Sequence, residues 1–157
     1  MISINLIQAY QKEDVKCLIF TICEELFQLY EDVIREFDAM SDIDDVESHY
    51  FDKRGTFLVV TDEEKVVGSG AIRRLDHNVC ELKRMWLLKD YRGQGLGMKM
   101  AQMLLDFARS AGYKKVRLDL LNPQQQTQAL KLYQQLGFYV IARYNDTPCT
   151  VFREKVL

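Results

Sequence analysis

A chain of 157 residues has room for one domain with a full hydrophobic core, spanning residues 1–157. Its 48% hydrophobic and 28% charged residues, with two prolines, exclude a disordered or fibrous protein. A formal charge of −2 gives no general pull toward nucleic acid or anionic membranes, and no apolar run approaches a bilayer span. No basic and apolar leader pattern opens the chain, so a cytoplasmic protein is expected. Cys17, Cys23, Cys80 and Cys149 form no CxxC pair, and only His49 and His77 are available as imidazole partners. Reduced thiols packed as small hydrophobes are expected, and no metal site.

In chain order, Ile2 to Ala9 alternates and reads as a first strand. From Lys12 to Phe37, apolar residues recur at three- and four-residue steps (Val15, Leu18, Ile19, Ile22, Leu26, Leu29, Val33), which predicts a long helix with a break near Tyr30. An Asp- and Ser-rich loop follows, with Asp42 or Asp44 as cap of a short helix through His49. Thr56 to Thr61, Val66 to Leu75 and Val79 to Leu88 read as three strands joined by tight polar turns, an antiparallel meander. Met98, Ala101, Leu104, Leu105 and Ala108 mark one face of a helix that Gly112 ends. Val116 to Leu121 is a strand reached through that helix, so it should pair in parallel. A further helix is expected from Asn122-Pro123 to Gly137, then strands at Phe138 to Arg143 and Thr150 to Lys155. The simplest packing is a mixed sheet with helices on both faces, an α/β sandwich of three layers.

The most informative stretch is ELKRMWLLKDYRGQGLG, Glu81 to Gly97: a strand, a polar turn, then a loop with Gly93, Gly95 and Gly97 opening a helix. Glycines before a helix start let the backbone approach a ligand and aim free N–H groups at it, and the positive end of the helix dipole suits a pyrophosphate. Arg92 stands beside those amides as a further phosphate partner. The spacing misses a dinucleotide-binding fingerprint, because Met98 occupies the third glycine position. No Gly-Lys-Ser/Thr ending makes it a Walker loop.

The run Tyr91-Arg92-Gly93-Gln94-Gly95-Leu96-Gly97 resembles the Arg/Gln-x-x-Gly-x-Gly/Ala signature of the GCN5-related N-acetyltransferase (GNAT) family. Ala129-Leu130-Lys131-Leu132-Tyr133-Gln134-Gln135-Leu136-Gly137-Phe138 resembles that family's second signature, and the resemblance spans Thr56 to Arg143. It implies a GNAT fold with splayed central strands and acetyl-CoA as cosubstrate, with no metal. The backbone of Arg92, Gly93, Gln94, Gly95, Leu96, Gly97 and Met98 would hold the pyrophosphate. Main-chain groups near Met85 and Leu87, with Trp86 between them, would line the pantetheine slot like a neighbouring strand. One of those N–H groups would polarise the thioester carbonyl. Tyr133 would protonate the departing thiolate, and Glu81 would take the proton of the attacking amine. Asp119, inside an apolar strand, is a second candidate base. Gln126 stands where the family often carries an asparagine.

The function implied is transfer of an acetyl group to a primary amine by direct attack in a ternary complex. The alternative is a non-catalytic acyl-CoA-binding sensor, which would need neither Tyr133 nor Glu81. The acceptor would be a small-molecule or peptide amine, with neither nucleic acid nor membrane as partner; a homodimer paired through edge strands is left open. The cluster Asp38, Asp42, Asp44, Asp45 and Glu47 raises a cationic acceptor, against a plain solvated loop.

Overall fold

The computed structural model describes all residues, 1–157. Seven strands form one mixed sheet in the order β1-β2-β3-β4-β5-β7-β6. These are β1 (Ile2–Leu6), β2 (Thr56–Asp62), β3 (Lys65–Arg74), β4 (Val79–Leu87), β5 (Lys115–Leu120), β6 (Tyr139–Val140) and β7 (Val151–Val156). Every neighbouring pair is antiparallel except β4 and β5, which the expected helical crossover makes parallel. The helices are α1 (Lys12–Phe27), α2 (Glu31–Phe37), α3 (Ser41–Asp44), α4 (Val46–His49), α5 (Leu96–Ser110) and α6 (Thr127–Gln135). None is long and apolar enough to cross a membrane.

Alternation along the strands sends side chains into two cores. Leu58, Val60, Ile72, Cys80, Leu82, Val116 and Leu118 pack under α5 and α6. Phe57, Val59, Val66 and Ala71 pack under α1 to α4. Strand periodicity thus produces the three-layer α/β/α arrangement that the sequence implies.

The long N-terminal helix breaks where Gln28 turns left-handed, at φ 53°. Its N–H and that of Leu29 close onto the carbonyls of Glu24 and Cys23, a closure that glycine usually makes. The capping residue of α4 is Asp45, whose carboxylate accepts from the Ser48 N–H, and not Asp42 or Asp44. Helix α6 starts at Thr127 and not at Asn122. The Gln126 side chain accepts the Asn122 N–H at 3.0 Å and closes residues 122–126 into a turn of their own.

Candidate functional site

Two features of β4 build the site. First, β4 meets β5 over only three residues, Val79–Glu81 against Lys115–Arg117; beyond them the strands part and the edge of β4 from Leu82 to Leu87 has no partner on that side. Second, β4 carries a bulge. Ser69 lies opposite Trp86 and Ala71 opposite Lys83, so Arg84 and Met85 together face Gly70. Arg84 has a φ of 57°. The extra residue shifts the alternation: Met85 packs with the Leu82 face, and Trp86 turns to the face of the N-terminal helices. A side chain at position 70 would lie 2.6 Å from the Met85 sulfur and 2.8 Å from Leu104, so Met85 and Leu104 occupy the space that glycine leaves there.

The parted strands open two cavities. One, about 770 Å³, runs along Met85, Trp86 and Leu87 to Arg92, Gly93, Gly95, Leu96, Gly97 and Met98. The other, about 270 Å³, lies between α1, α2, β4 and β5 and includes Asp38, Lys83, Arg84, Asp119, Thr147 and Cys149. Met85, Trp86, Gln126, Ala129 and Tyr133 line both.

At the far end of the larger cavity, Gly93 and Gly95 have φ of 79° and 83°, and a side chain on either would meet nothing within 4 Å. They are required for backbone conformation and leave open space in front of the α5 N-terminus. The Arg92 guanidinium already has protein partners. It binds both Glu25 oxygens at 2.7 and 2.8 Å and the Leu87 carbonyl at 2.8 Å, pinning the loop to α1. Sequence separation hid that pair. Lys89 and Lys131 also line this cavity and were not anticipated.

Tyr133 is 4% exposed and stacks edge-on against Phe138 at 5.6 Å. Burial alone raises its pKa, so it stays a phenol well past neutral pH.

Glu81 has no exposed surface and lines neither cavity. Its carboxylate accepts the Tyr144 hydroxyl and lies 3.3 Å from the Arg73 guanidinium and 3.5 Å from the Lys83 ammonium. On one face of the sheet, Arg73, Glu81, Arg117 and Glu154 stand opposite one another on successive strands, a row of alternating charge. Asp119, by contrast, faces the smaller cavity. Asn145 (2.8 Å) and Thr147 (3.1 Å) both donate to its Oδ2, and the Cys149 thiol lies beside the carboxylate. The loop that supplies Tyr144, Asn145 and Thr147 carries no sequence signal beyond its polar composition.

The acidic cluster is only partly paired: Asp38 and Asp42 share Arg84, Asp44 binds Lys16, Asp45 caps α4, and Glu47 is exposed. Cys23 and Cys149 line the smaller cavity, and burial pushes both thiols up to about 11.

Comparison with known proteins agrees with the fold. The crystal structure of an acetyltransferase of the GNAT family from Staphylococcus aureus Mu50 superposes with a TM-score of 0.87 at 22% identity, over 99% of both chains. PaiA N-acetyltransferase from Thermoplasma acidophilum in complex with coenzyme A superposes at 0.76 and 18% identity, over 100% of this chain and 99% of that one. Among curated relatives, human N-acetyltransferase 8B is 36% identical over 104 residues, 62% of this chain and 45% of its own length. N-acetylaspartate synthetase of Xenopus tropicalis is 34% identical over 134 residues, 78% of this chain and 49% of its own. The chain therefore spans about half the length of these two relatives. The profile of the Acetyltransferase (GNAT) family matches residues 23–138, well over half of the sequence, and the chain belongs to that family.

Proposed function

We propose that the protein is an acetyl-CoA-dependent N-acetyltransferase, a single catalytic domain that moves an acetyl group to a primary amine by direct attack in a ternary complex. The observation that carries this is the meeting of two cavities at Tyr133 and the β4 bulge. One cavity ends at an anion-suited glycine loop, and the other is walled by a carboxylate. A cosubstrate laid along Met85 to Leu87 would pair with the free edge of β4, its pyrophosphate on the amides of Arg92 to Met98.

In this reading the acceptor nitrogen enters from the smaller cavity and attacks the thioester carbonyl carbon. The C–N bond forms, the C–S bond breaks, and Tyr133 gives its proton to the leaving sulfur. A main-chain N–H at the bulge stabilises the oxyanion. The geometry favours Asp119 over Glu81 for the amine's proton, because Asp119 lines the cavity while Glu81 is enclosed. The raised thiol pKa values of Cys23 and Cys149 support direct attack over an acetyl-cysteine intermediate.

Calorimetric titration with acetyl-CoA and 3′,5′-ADP, followed by an amine screen read by thiol release, tests the proposal. Binding and amine-dependent thiol release support it. A folded protein that binds neither ligand at millimolar concentration refutes it, and binding without release on any amine reduces it to a sensor.

A further inference from the structure

We propose that Arg84 is a positioning residue for acyl transfer: held by Asp38 and Asp42, it fixes the β4 bulge and ties it to the helices that wall the acceptor cavity. The inference rests on the functional reading above.

A left-handed arginine inside a strand has no local reason to exist, since L side chains rarely adopt that conformation. What holds it is a double fork. Nη1 and Nη2 donate to the two oxygens of Asp38 at 2.6 and 3.0 Å, while Nε and Nη2 donate to those of Asp42 at 3.0 and 2.7 Å. The main chain is fixed as well, because the Ser69 hydroxyl donates to the Arg84 carbonyl at 2.6 Å.

The acids are themselves anchored. Asp38 accepts the Met40 N–H, and Asp42 accepts the hydroxyl of the fully buried Tyr50. The clamp thus joins α2 and α3 to the bulge across more than forty residues of sequence. Apolar residues of similar volume would hold two elements together at least as well as a buried ion cluster, so the cluster is better read as specifying one geometry. Only a planar guanidinium can serve two carboxylates in this way, and lysine cannot. The residue so fixed precedes Met85 and Trp86, which line both cavities. Arg84 therefore sets where the thioester end of the slot lies relative to the acceptor wall.

The test compares wild type with Arg84→Lys and Asp42→Asn in thermal melting, affinity for 3′,5′-ADP and for acetyl-CoA, and kcat and KM on an amine the wild type acetylates. The glycine loop lies away from the clamp, so 3′,5′-ADP affinity should stay within twofold in both variants. Arg84→Lys should weaken acetyl-CoA at least fivefold and lower kcat at least tenfold, with Asp42→Asn intermediate because Asp38 still holds the fork. Wild-type kcat and acetyl-CoA affinity in Arg84→Lys would overturn the proposal. If that variant melts early and loses 3′,5′-ADP too, Asp42→Asn decides: unchanged acetyl-CoA affinity and kcat there overturn it as well. Failure of the wild type to turn over any amine refutes the enzyme, while the acetyl-CoA to 3′,5′-ADP affinity ratio still reads the clamp.

Discussion

Replacement of Tyr133 by Phe removes one oxygen from the junction of the two cavities and little else. Burial is the sole cause of the raised phenol pKa, so no protein hydrogen bond is lost with the hydroxyl. The edge-on contact with Phe138, at 67° between ring planes, survives because both rings remain. Folding free energy should therefore change by less than about 0.5 kcal/mol. Acid catalysis of this kind contributes roughly 10²–10⁴-fold, equivalent to about 3–5 kcal/mol of barrier. The assay is continuous thiol release under saturating amine and acetyl-CoA, with acetyl-CoA affinity measured separately. We expect kcat to fall within that range while the dissociation constant moves by less than about threefold, since an interaction made only in the transition state is lost. The raised pKa adds a sign: the phenol stays protonated above its ordinary value, so the wild-type rate should show no alkaline loss attributable to Tyr133 up to about pH 10. A variant that keeps a third or more of wild-type kcat, or one whose lost activity tracks a lowered melting temperature, would refute the assignment.

Asp119→Asn should cost about 10²-fold or more in kcat/KM at neutral pH, with a near-normal melt. Glu81→Gln should act mainly on stability, by about 1–2 kcal/mol in urea denaturation, because it removes the charge that the part-exposed Arg73 and Lys83 face and weakens the bond from Tyr144. The reverse ranking in activity would return the base role to Glu81. Gly95→Ala strains a residue at φ 83° by about 1–2 kcal/mol and sets a methyl group in the open space before α5. Calorimetry should show 3′,5′-ADP affinity falling by an order of magnitude or more. At Asp42, burial opposes ionisation, but the Arg84 guanidinium and the Tyr50 hydroxyl outweigh it and hold the pKa down at about 2. Being depressed in the folded state, this group contributes stability above its ordinary value of 3.8, and the contribution is lost as pH falls toward 2. The unfolding free energies from urea titrations at pH 7 and pH 3 should differ by more in wild type than in Asp42→Asn, by a contribution on the order of 1 kcal/mol, the rest being lost only below pH 3.

Much of this was legible from local rules. Period-two runs in β2 to β4, the Leu104 and Leu105 stripe of α5, and glycines at 93 and 95 fix elements through interactions a few residues apart. The two signatures around Gly95 and Tyr133 carried the family and the place of the slot. What escaped depends on contacts distant in sequence or on conformations that residue type does not announce. Gln28 and Arg84 take left-handed geometry where glycine is the usual marker. Arg92 reads as an unpaired phosphate ligand until Glu25, 67 residues away, is seen to bind it. Glu81 and Asp119 are both carboxylates on inner strands, and only the parting of β4 from β5 makes one enclosed and the other accessible. The acidic run after Asp38 likewise reads as a plain charged surface until Arg84 is seen to hold Asp38 and Asp42, and Lys16 to hold Asp44.

The short ladder between β4 and β5 has a thermodynamic side. Three paired positions join a half-sheet of four strands to one of three, so beyond Glu81 the edge of β4 has no strand beside it. On the proposed function, a cosubstrate laid along that edge would add hydrogen bonds to β4 where the strand pairing stops. Because it binds only the folded chain, each tenfold excess over its dissociation constant adds about 1.4 kcal/mol to folding. Amide protons of β5 and β7 should then exchange more slowly once the slot is filled, although no residue of either strand touches the glycine loop.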